Sequence, residues 1–352
     1  GVYKRFGEFD KVNAKVEIVT TGIWSGDAGS LTAAFTSSTQ VAQSGNYYYD
    51  VYSTNPLTNT TAEVQFGVAY GHVNGSGSIS LQNNDNALLA SKATYAQYRS
   101  ILLDPTDTKF SFENGTGIAT DSNSIYAITL NRARYREKMD AGNWSMTLSG
   151  SNGVFTFIDD SGKKFGDTLG KAGRVFKVVS GSLNLGTENE ATIKSTVAGN
   201  GEGFGLFYPD RGIMVLNPSA LANVVGTVKP FGTAAVTLTG DERVDADYQN
   251  HKRLVQAIAN GRDFEARRTE NVSTQHFFVR ATNREFNYSN NPTYTKADGT
   301  FAEVTFKTDP QTFITTIGLL NDSNELIAVA KTSQPIVKSF DKEVLIKVKL
   351  SF

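Results

Sequence analysis

The sequence predicts a mainly β protein of β-sandwich-like domains, with one or two helices and a glycine-rich insertion of loops and short strands. Aromatic and β-branched runs recur between clusters of Gly, Asn, Asp and Pro, which is the composition of strands separated by turns. The closing residues alternate between apolar and polar, and only two stretches show helical spacing. We therefore predict a β-rich domain with one helix at 1–158, a glycine-rich region at 159–240, and a helix followed by a β domain at 241–352.

The closing strand is the strongest structural signal. Its even positions are apolar, and from residue 347 onward its odd positions are polar. The even set is Val344, Ile346, Val348, Leu350 and Phe352, and the odd set is Lys347, Lys349 and Ser351. Because side chains alternate between the two faces of a strand, we expect the even set to be buried and the lysines to be exposed.

A β-hairpin is predicted just before this strand. Residues 312–320 and 325–331 are apolar and β-branched, and the turn-forming residues Asn321 to Asn324 join them. After Pro335 we expect a loop that continues through Ser339.

The N-terminal region reads as strands around one helix. Strands are expected at 15–24, 46–52, 62–70, 124–130, 144–148 and 154–158. Tyr95, Tyr98 and Leu102 follow helical spacing within 91–104, and Pro105 ends the pattern. The composition of residues 140–143 favours a hairpin turn.

Two contrasting segments follow. Residues 159–239 are dense in glycine, with short apolar runs that predict little core of their own, so we expect them to be ordered chiefly by neighbouring subunits. Residues 241–260 predict a long helix that packs Leu254, Val255 and Ile258 against the β-rich body.

Composition narrows the class of protein. There are 34 basic and 35 acidic residues, so the net charge gives no indication of nucleic-acid or membrane binding, and neither partner is expected. Cysteine is absent, which excludes disulfides, thiolate metal sites and a cysteine nucleophile. The start lacks the pattern of a signal peptide, and we expect Gly1 to follow a removed Met or an upstream segment.

Motifs that carry chemistry are weak. The glycines at 199–205 lack the following helix that a phosphate loop needs. His72, His251 and His276 have no neighbours at metal-ligand spacing, and His251 is expected to be a packed core residue. Asp159 to Gly162 and Asn321 to Asn324 lack the layout of a calcium loop and are interpreted as turns. We expect no catalytic, cofactor or metal site, and no enzymatic activity.

Two arginine-containing segments are candidate subunit contacts, because Arg is enriched at interfaces. They contribute Arg132, Arg134, Arg136, Arg267 and Arg268. A solvated charged face is the alternative interpretation.

The C-terminal residues also resemble a known class of proteins. TIGLLND at 316–322, ELIAVAK at 325–331, KVKL at 347–350 and FFVRATNREFNYSNNPT at 277–293 resemble virion structural proteins of tailed bacteriophages, of the T4-like, contractile-tailed and cyanophage type. The similarity covers roughly the last fifth of the chain and is loose elsewhere. It implies a non-enzymatic virion component of the baseplate or fibre-attachment family.

The resemblance also implies partners and a location. We expect other virion proteins as partners, several copies in a symmetric assembly, and a place in the virion after synthesis in the host cytoplasm. The alternatives are a neck or capsid-decorating protein, a receptor-binding or carbohydrate-binding module, or a bacterial β-sandwich. Only Trp24 and the aromatic run Tyr47, Tyr48 and Tyr49 suggest carbohydrate binding.

Overall fold

A computed structural model describes most of the chain. The described residues are 4–7, 9–37, 47–77, 89–113, 119–161, 168–183, 191–193, 203–228, 236–237, 250–289 and 291–352. Strands far outnumber helices among them, so the mainly-β prediction is confirmed. Packing divides the chain into two compact units. The smaller unit comprises Gly1–Ile18 and Asn271–Phe352, and the larger unit comprises Val19–Glu270.

The described elements are numbered in chain order. The strands are β1 (Lys11–Gly22), β2 (Ser30–Leu31), β3 (Tyr48–Tyr52), β4 (Val64–His72), β5 (Phe110–Glu113), β6 (Ala119–Ser122), β7 (Ser124–Leu130), β8 (Lys138–Gly150), β9 (Gly153–Asp159), β10 (Thr168–Gly170), β11 (Gly173–Leu183), β12 (Ala191–Ile193), β13 (Gly205–Tyr208), β14 (Ile213–Leu216), β15 (Thr227–Val228), β16 (Val236–Thr237), β17 (Phe264–Ala281), β18 (Thr312–Leu320), β19 (Leu326–Lys338) and β20 (Val344–Ser351). The α-helices are α1 (Ala90–Leu102), α2 (Arg132–Tyr135), α3 (Pro218–Val225) and α4 (Asn250–Gly261). Short 3-10 turns lie at Ser25–Asp27, Pro292–Tyr294 and Val304–Lys307.

The boundaries of the two units fall inside strands. Both β1 and β17 begin in one unit and end in the other. The three-region division at residues 158 and 240 stays a prediction, and the packing groups the residues differently. Strand pairing explains the difference, because β9 pairs with β11 across the first predicted boundary.

The larger unit is organised around one antiparallel sheet with the order β17-β8-β9-β11-β13-β14-β7-β4-β3. Helix α4 packs on β8 near one end of this order and also on β3 and β4 at the other end. The sheet must therefore curl around the helix, because a flat sheet would hold those strands far apart.

Three aromatic rings join the two ends of this sheet. Trp24 lies with its ring 4.9 Å from that of Phe264 on β17 and 5.9 Å from that of Phe66 on β4, and the two phenylalanine rings are 5.5 Å apart. The Trp24 indole also donates a hydrogen bond to the Phe264 carbonyl at 2.7 Å. All three side chains are fully buried, so they form part of the core that stabilises the curled sheet.

The glycine-rich segment contributes to this core. Its strands β11, β13 and β14 lie in the middle of the sheet order, and Phe176, Phe207 and Met214 are buried. The expectation that the segment has little core of its own is therefore wrong for its described part. The short apolar runs of this segment suggested little core because sequence spacing does not reveal strand pairing. In the structure, β13 and β14 each pair with a strand on both sides.

The predicted turn at residues 140–143 is also wrong. These residues lie inside the continuous strand β8, where Met139 pairs with Arg268 and Trp144 pairs with Ala266 of β17. Extra residues in β8 therefore form a bulge, and Gly142 adopts a positive φ of 78° there. Glycine and asparagine suit a bulge as well as a turn, and this is why composition misled the prediction.

The helices follow the sequence pattern in part. Helix α1 buries Tyr95 and Leu102, and α4 buries Leu254, Val255 and Ile258, so both core faces are confirmed. The predicted beginning of the second helix, residues 241–249, lies outside the described residues. Helices α2 and α3 were not predicted. The Asn217 side chain accepts a hydrogen bond from the Ser219 amide at 3.2 Å, so Asn-Pro at the start of α3 was the missed signal.

The smaller unit contains a two-layer β core. Antiparallel β17 and β20 form one layer, and the β18–β19 hairpin forms the other. Ile317, Leu319 and Val348 are buried between the layers, where they pack against Phe277 and Val279 among others. The predicted hairpin is confirmed, including its turn at Asn321 to Asn324.

The closing strand shows the predicted alternation with one correction. Val348 is buried, Val344, Ile346 and Leu350 are half-buried, and Lys347 and Lys349 are exposed. Phe352 is 73% exposed and lies beyond the end of β20, so its predicted burial is wrong. Strand β19 also continues through Pro335, where a loop was expected. The pairing of β18 and β19 shifts register at Pro335, so no ladder hydrogen bond there requires the amide hydrogen that proline lacks.

Candidate interaction surface

Strand β1 exposes an apolar row in the smaller unit. Val12, Ala14, Val16 and Ile18 share one side of the strand because they are two residues apart. Val16 and Ile18 are 60% and 70% exposed, respectively. Such alternation normally marks a face that is buried in a core, so its exposure makes this row a candidate contact surface.

The β18–β19 hairpin carries a second exposed apolar group. Phe313, Leu326, Ile327 and Val329 are all more than half exposed. Val329 pairs with Gly318, and a side chain on that glycine would meet the Leu326 methyl group at 3.0 Å. The absent side chain at Gly318 thus leaves the apolar side chains accessible. Among the described residues, most exposed large apolar side chains belong to the smaller unit.

A buried lysine anchors the base of this hairpin. Lys338 at the end of β19 is fully buried, and its ammonium donates to the Asn287 side-chain oxygen and the Ser339 carbonyl, both at 2.8 Å, and to the Asn283 carbonyl at 3.1 Å. Burial lowers the pKa of Lys338, and the negative charges of Glu285 and Glu343 partly offset this shift. Three oxygens therefore satisfy the buried cation and hold the hairpin to the loop before it.

Arg268 is an internal residue. Its side chain is only 5% exposed, and it pairs with Glu270 at 2.7 Å and with Asp27 at 2.9 Å. It also donates to the backbone carbonyls of Gly22 and Arg134. This guanidinium connects parts of the larger unit and presents almost no surface to another subunit.

The other candidate arginines are more accessible. Arg136 pairs with Glu270 at 3.2 Å and keeps 57% of its side chain exposed, whereas Arg132 lies over the Tyr135 ring at 4.9 Å. Arg134 pairs with Glu63 at 2.5 Å. The structure thus brings Arg134 and Arg136 close to Arg268. Arg268 donates a hydrogen bond to the Arg134 carbonyl, and Arg136 and Arg268 both bond to the Glu270 carboxylate.

Arg267 does not join this network. It bonds to Glu265 at 2.5 Å and to the Asn143 side chain at 2.8 Å. Successive residues of a strand point to opposite faces, which separates Arg267 from Arg268. The assignment of the five arginines to subunit contacts stays a prediction, and Arg132 and Arg136 retain the most surface for it.

Two of the three histidines weighed for metal binding have local structural partners. His72 accepts hydrogen bonds at Nδ1 from the Asn74 and Ser76 amides, and His251 packs against the Tyr49 ring. Gly205 begins strand β13, so a strand occupies the place where a phosphate loop requires a helix. In the part of the chain that the structure describes, no group of three or more ligating side chains is suited to a metal.

Asp159 is interpreted from the sequence as a turn residue, and its side chain makes such a local contact with Ser161 as well as a longer-range one with Gly142. It is fully buried at the end of β9 and accepts hydrogen bonds from the backbone amides of Gly142 at 2.8 Å and Ser161 at 2.9 Å. Burial raises the pKa of Asp159. The carboxylate therefore holds the β8 bulge against the end of β9.

Comparisons with known proteins give no relative. No family model, curated protein or solved structure matches the chain. None of the described helices is both long enough and apolar enough to cross a membrane. The exposed row on β1 was missed in the sequence, although its alternation was visible, because alternation alone does not tell which face is covered.

Proposed function

We propose that this chain is a non-enzymatic structural component of a contractile-tailed phage virion, at the wedge or fibre-anchor position of the baseplate. It acts in several copies through contacts with other virion proteins. The phage resemblance of the C-terminal residues supplies the specific assignment. The exposed apolar row of β1 is the structural observation that carries it, because an assembly protein needs surfaces that remain uncovered until partners bind.

The position of β1 strengthens this argument. Its described pairing partner is β17, and β1 stands at the end of the strand order, so one edge is available for further pairing. An apolar edge strand is an aggregation hazard in a free monomer. In an assembly the same strand is covered by a neighbour, and the burial of apolar area stabilises the contact.

The hairpin offers a second contact of the same kind. Leu326, Ile327 and Val329 are exposed on a hairpin that the buried Lys338 anchors at its base through hydrogen bonds. A preorganised surface loses little conformational entropy on binding. Obligate interfaces often bury on the order of 2,000 Å² or more, which calls for several such surfaces on one subunit.

The first test is the location of the chain. Mass spectrometry of gradient-purified phage particles should detect it at a stoichiometry set by the symmetry of the tail. Absence from purified particles contradicts the proposal.

The second test is incorporation of variants supplied during infection. A tagged Val16→Lys/Ile18→Lys chain should enter particles at least about tenfold less than wild type, because charges in an apolar contact cost more than about 1.4 kcal/mol. Val154→Lys is the matched control, since Val154 is 65% exposed on the larger unit. Equal incorporation of both variants would show that β1 is not a contact.

A further inference from the structure

A groove crosses one face of the sheet in the larger unit. It has a volume of about 320 Å³ and lies over strands β3, β4 and β7, with one wall from helix α1. Its lining includes Tyr48, Asp50, Gly67, Ala69, Tyr98 and Thr129. Ligand pockets begin at about 300 Å³, so the groove has room for a small ligand or one or two rings of a longer one.

Strand register places the polar groups of the groove side by side. Asp50 pairs with Gly67, and Gly67 pairs with Thr129 on the next strand, so the three share one face of the sheet. Gly67 and Ala69 form a floor without bulky side chains. A side chain on Gly67 would meet the Asp50 carboxylate at 3.3 Å, so glycine keeps the floor low beside that carboxylate.

Aromatic and hydroxyl groups border this floor. Tyr48 is 45% exposed, whereas its neighbour Tyr49 is fully buried in the core on the opposite face. The Tyr98 and Thr129 hydroxyls are 2.7 Å apart, where either can donate to the other. The two outer tyrosines therefore supply both apolar ring surface and a fixed hydroxyl pair.

The charge of the groove restricts its ligand. Among the described residues that line the groove, Asp50 is the charged one, and none of them is Lys, Arg or His. Burial raises the pKa of Asp50, because the carboxylate has lost part of its hydration. Hydrogen bonds from a ligand therefore stabilise this carboxylate more than they would stabilise a fully hydrated carboxylate. Anionic ligands such as phosphates and acidic sugars are disfavoured, because like charges repel at close range.

We propose that this groove binds a neutral sugar ring of a glycan. The apolar face of the ring lies against Tyr48, and its hydroxyl groups donate to the Asp50 carboxylate and exchange hydrogen bonds with the Tyr98 and Thr129 hydroxyls. A quaternary ammonium also suits an aromatic ring beside a carboxylate. The hydroxyl pair and the small-residue floor favour a flat polyol instead. The site lies in the larger unit and does not rest on the virion role.

Ligand-observed NMR on the full chain tests this proposal. The probes are N-acetylglucosamine, galactose, glucose and their neutral trisaccharides, with glucuronic acid and choline as charged comparisons. We expect at least one neutral probe to bind with a Kd of about 1 mM, as suits a shallow groove. Tyr48→Ala should weaken that binding at least about tenfold, since it removes the aromatic ring against which the sugar stacks.

Matched variants separate binding from folding. Tyr47→Ala is the control, because Tyr47 is a neighbouring exposed tyrosine outside the groove lining, and it should bind as wild type does. Asp50→Asn should likewise weaken the binding of the neutral sugars. The proposal is overturned if no neutral probe binds at concentrations on the order of 10 mM, if binding survives Tyr48→Ala, or if choline binds more tightly than every sugar.

Discussion

The Lys338 ammonium donates a hydrogen bond to the Asn287 side-chain oxygen at 2.8 Å in a fully buried position of the smaller unit. Two backbone carbonyls, from Asn283 and Ser339, complete its partners. The contact joins the end of the hairpin to the loop that precedes it. Its acceptors are neutral, so hydrogen bonding rather than ion pairing satisfies this cation.

Replacement of Lys338 by Met should destabilise the smaller unit by about 1–3 kcal/mol, because three buried oxygens lose their donor while the desolvated charge is removed. Lys331→Met is the control in the same strand, since Lys331 is exposed, and it should stay within about 0.5 kcal/mol of wild type. Native-state hydrogen exchange of the β18 and β19 amides measures both effects. Equal protection in the two variants would contradict the anchoring role.

Glu285 predicts a dependence of stability on pH. Its hydrogen bond to Lys4 at 2.8 Å, together with the Thr282 amide, lowers its pKa from 4.5 to about 2. A carboxyl whose pKa is lower in the folded state stabilises the fold above its unfolded pKa, and this contribution is lost as the pH falls from about 4.5 to about 2. Because the pair is partly exposed, salt should weaken the effect.

Glu285→Gln tests this dependence. The stability difference from wild type should be largest at neutral pH and should shrink as the pH falls through that window, measured by hydrogen exchange of the smaller unit. Glu303→Gln, at another exposed glutamate, controls for the general effect of removing a negative charge. A difference that stays constant with pH would argue against the Lys4 contact in solution.

Arg268 and Arg267 should respond differently to the same change. Arg268→Met should lower the free energy of unfolding of the larger unit by about 3 kcal/mol. The substitution removes a buried charge that is paired with Glu270 and Asp27, and so breaks a buried ion-pair network. Arg267→Met should cost less than about 1 kcal/mol, because its ion pair with Glu265 is partly exposed. Urea denaturation followed by tryptophan fluorescence reports on this unit. Similar costs for the two variants would contradict the structural role of Arg268.

The closing strand allows a paired test of its two faces. Val348→Asp should destabilise the smaller unit by about 3 kcal/mol or more, because it buries an unpaired charge between the β layers. Leu345→Asp should cost little, since Leu345 is 65% exposed on the same strand. Hydrogen exchange of β20 and β17 amides measures both variants. A greater loss for Leu345→Asp would mean that the face assignment is inverted.

Much of the local structure was determined by the sequence itself. Alternation predicted the faces of β20, and helical spacing predicted the buried side of α4, because both depend only on the repeat of the backbone. The Asn321 turn followed from its side chain, which accepts hydrogen bonds from the amides of Ser323 and Glu325. These features arise from contacts between residues that are close in the chain.

The tertiary structure alone decided which strands are neighbours and which surfaces stay open. Trp24 meets Phe66 and Phe264 because the sheet curls, and no local pattern encodes a contact across 240 residues. Val348 is covered by the hairpin, whereas Ile18 has equally strong alternation and is exposed. Tyr48 and Tyr49 likewise differ only in which face their strand turns to the core. Burial depends on what packs against a residue, and that is set by long-range pairing of the chain rather than by the residue's own neighbours.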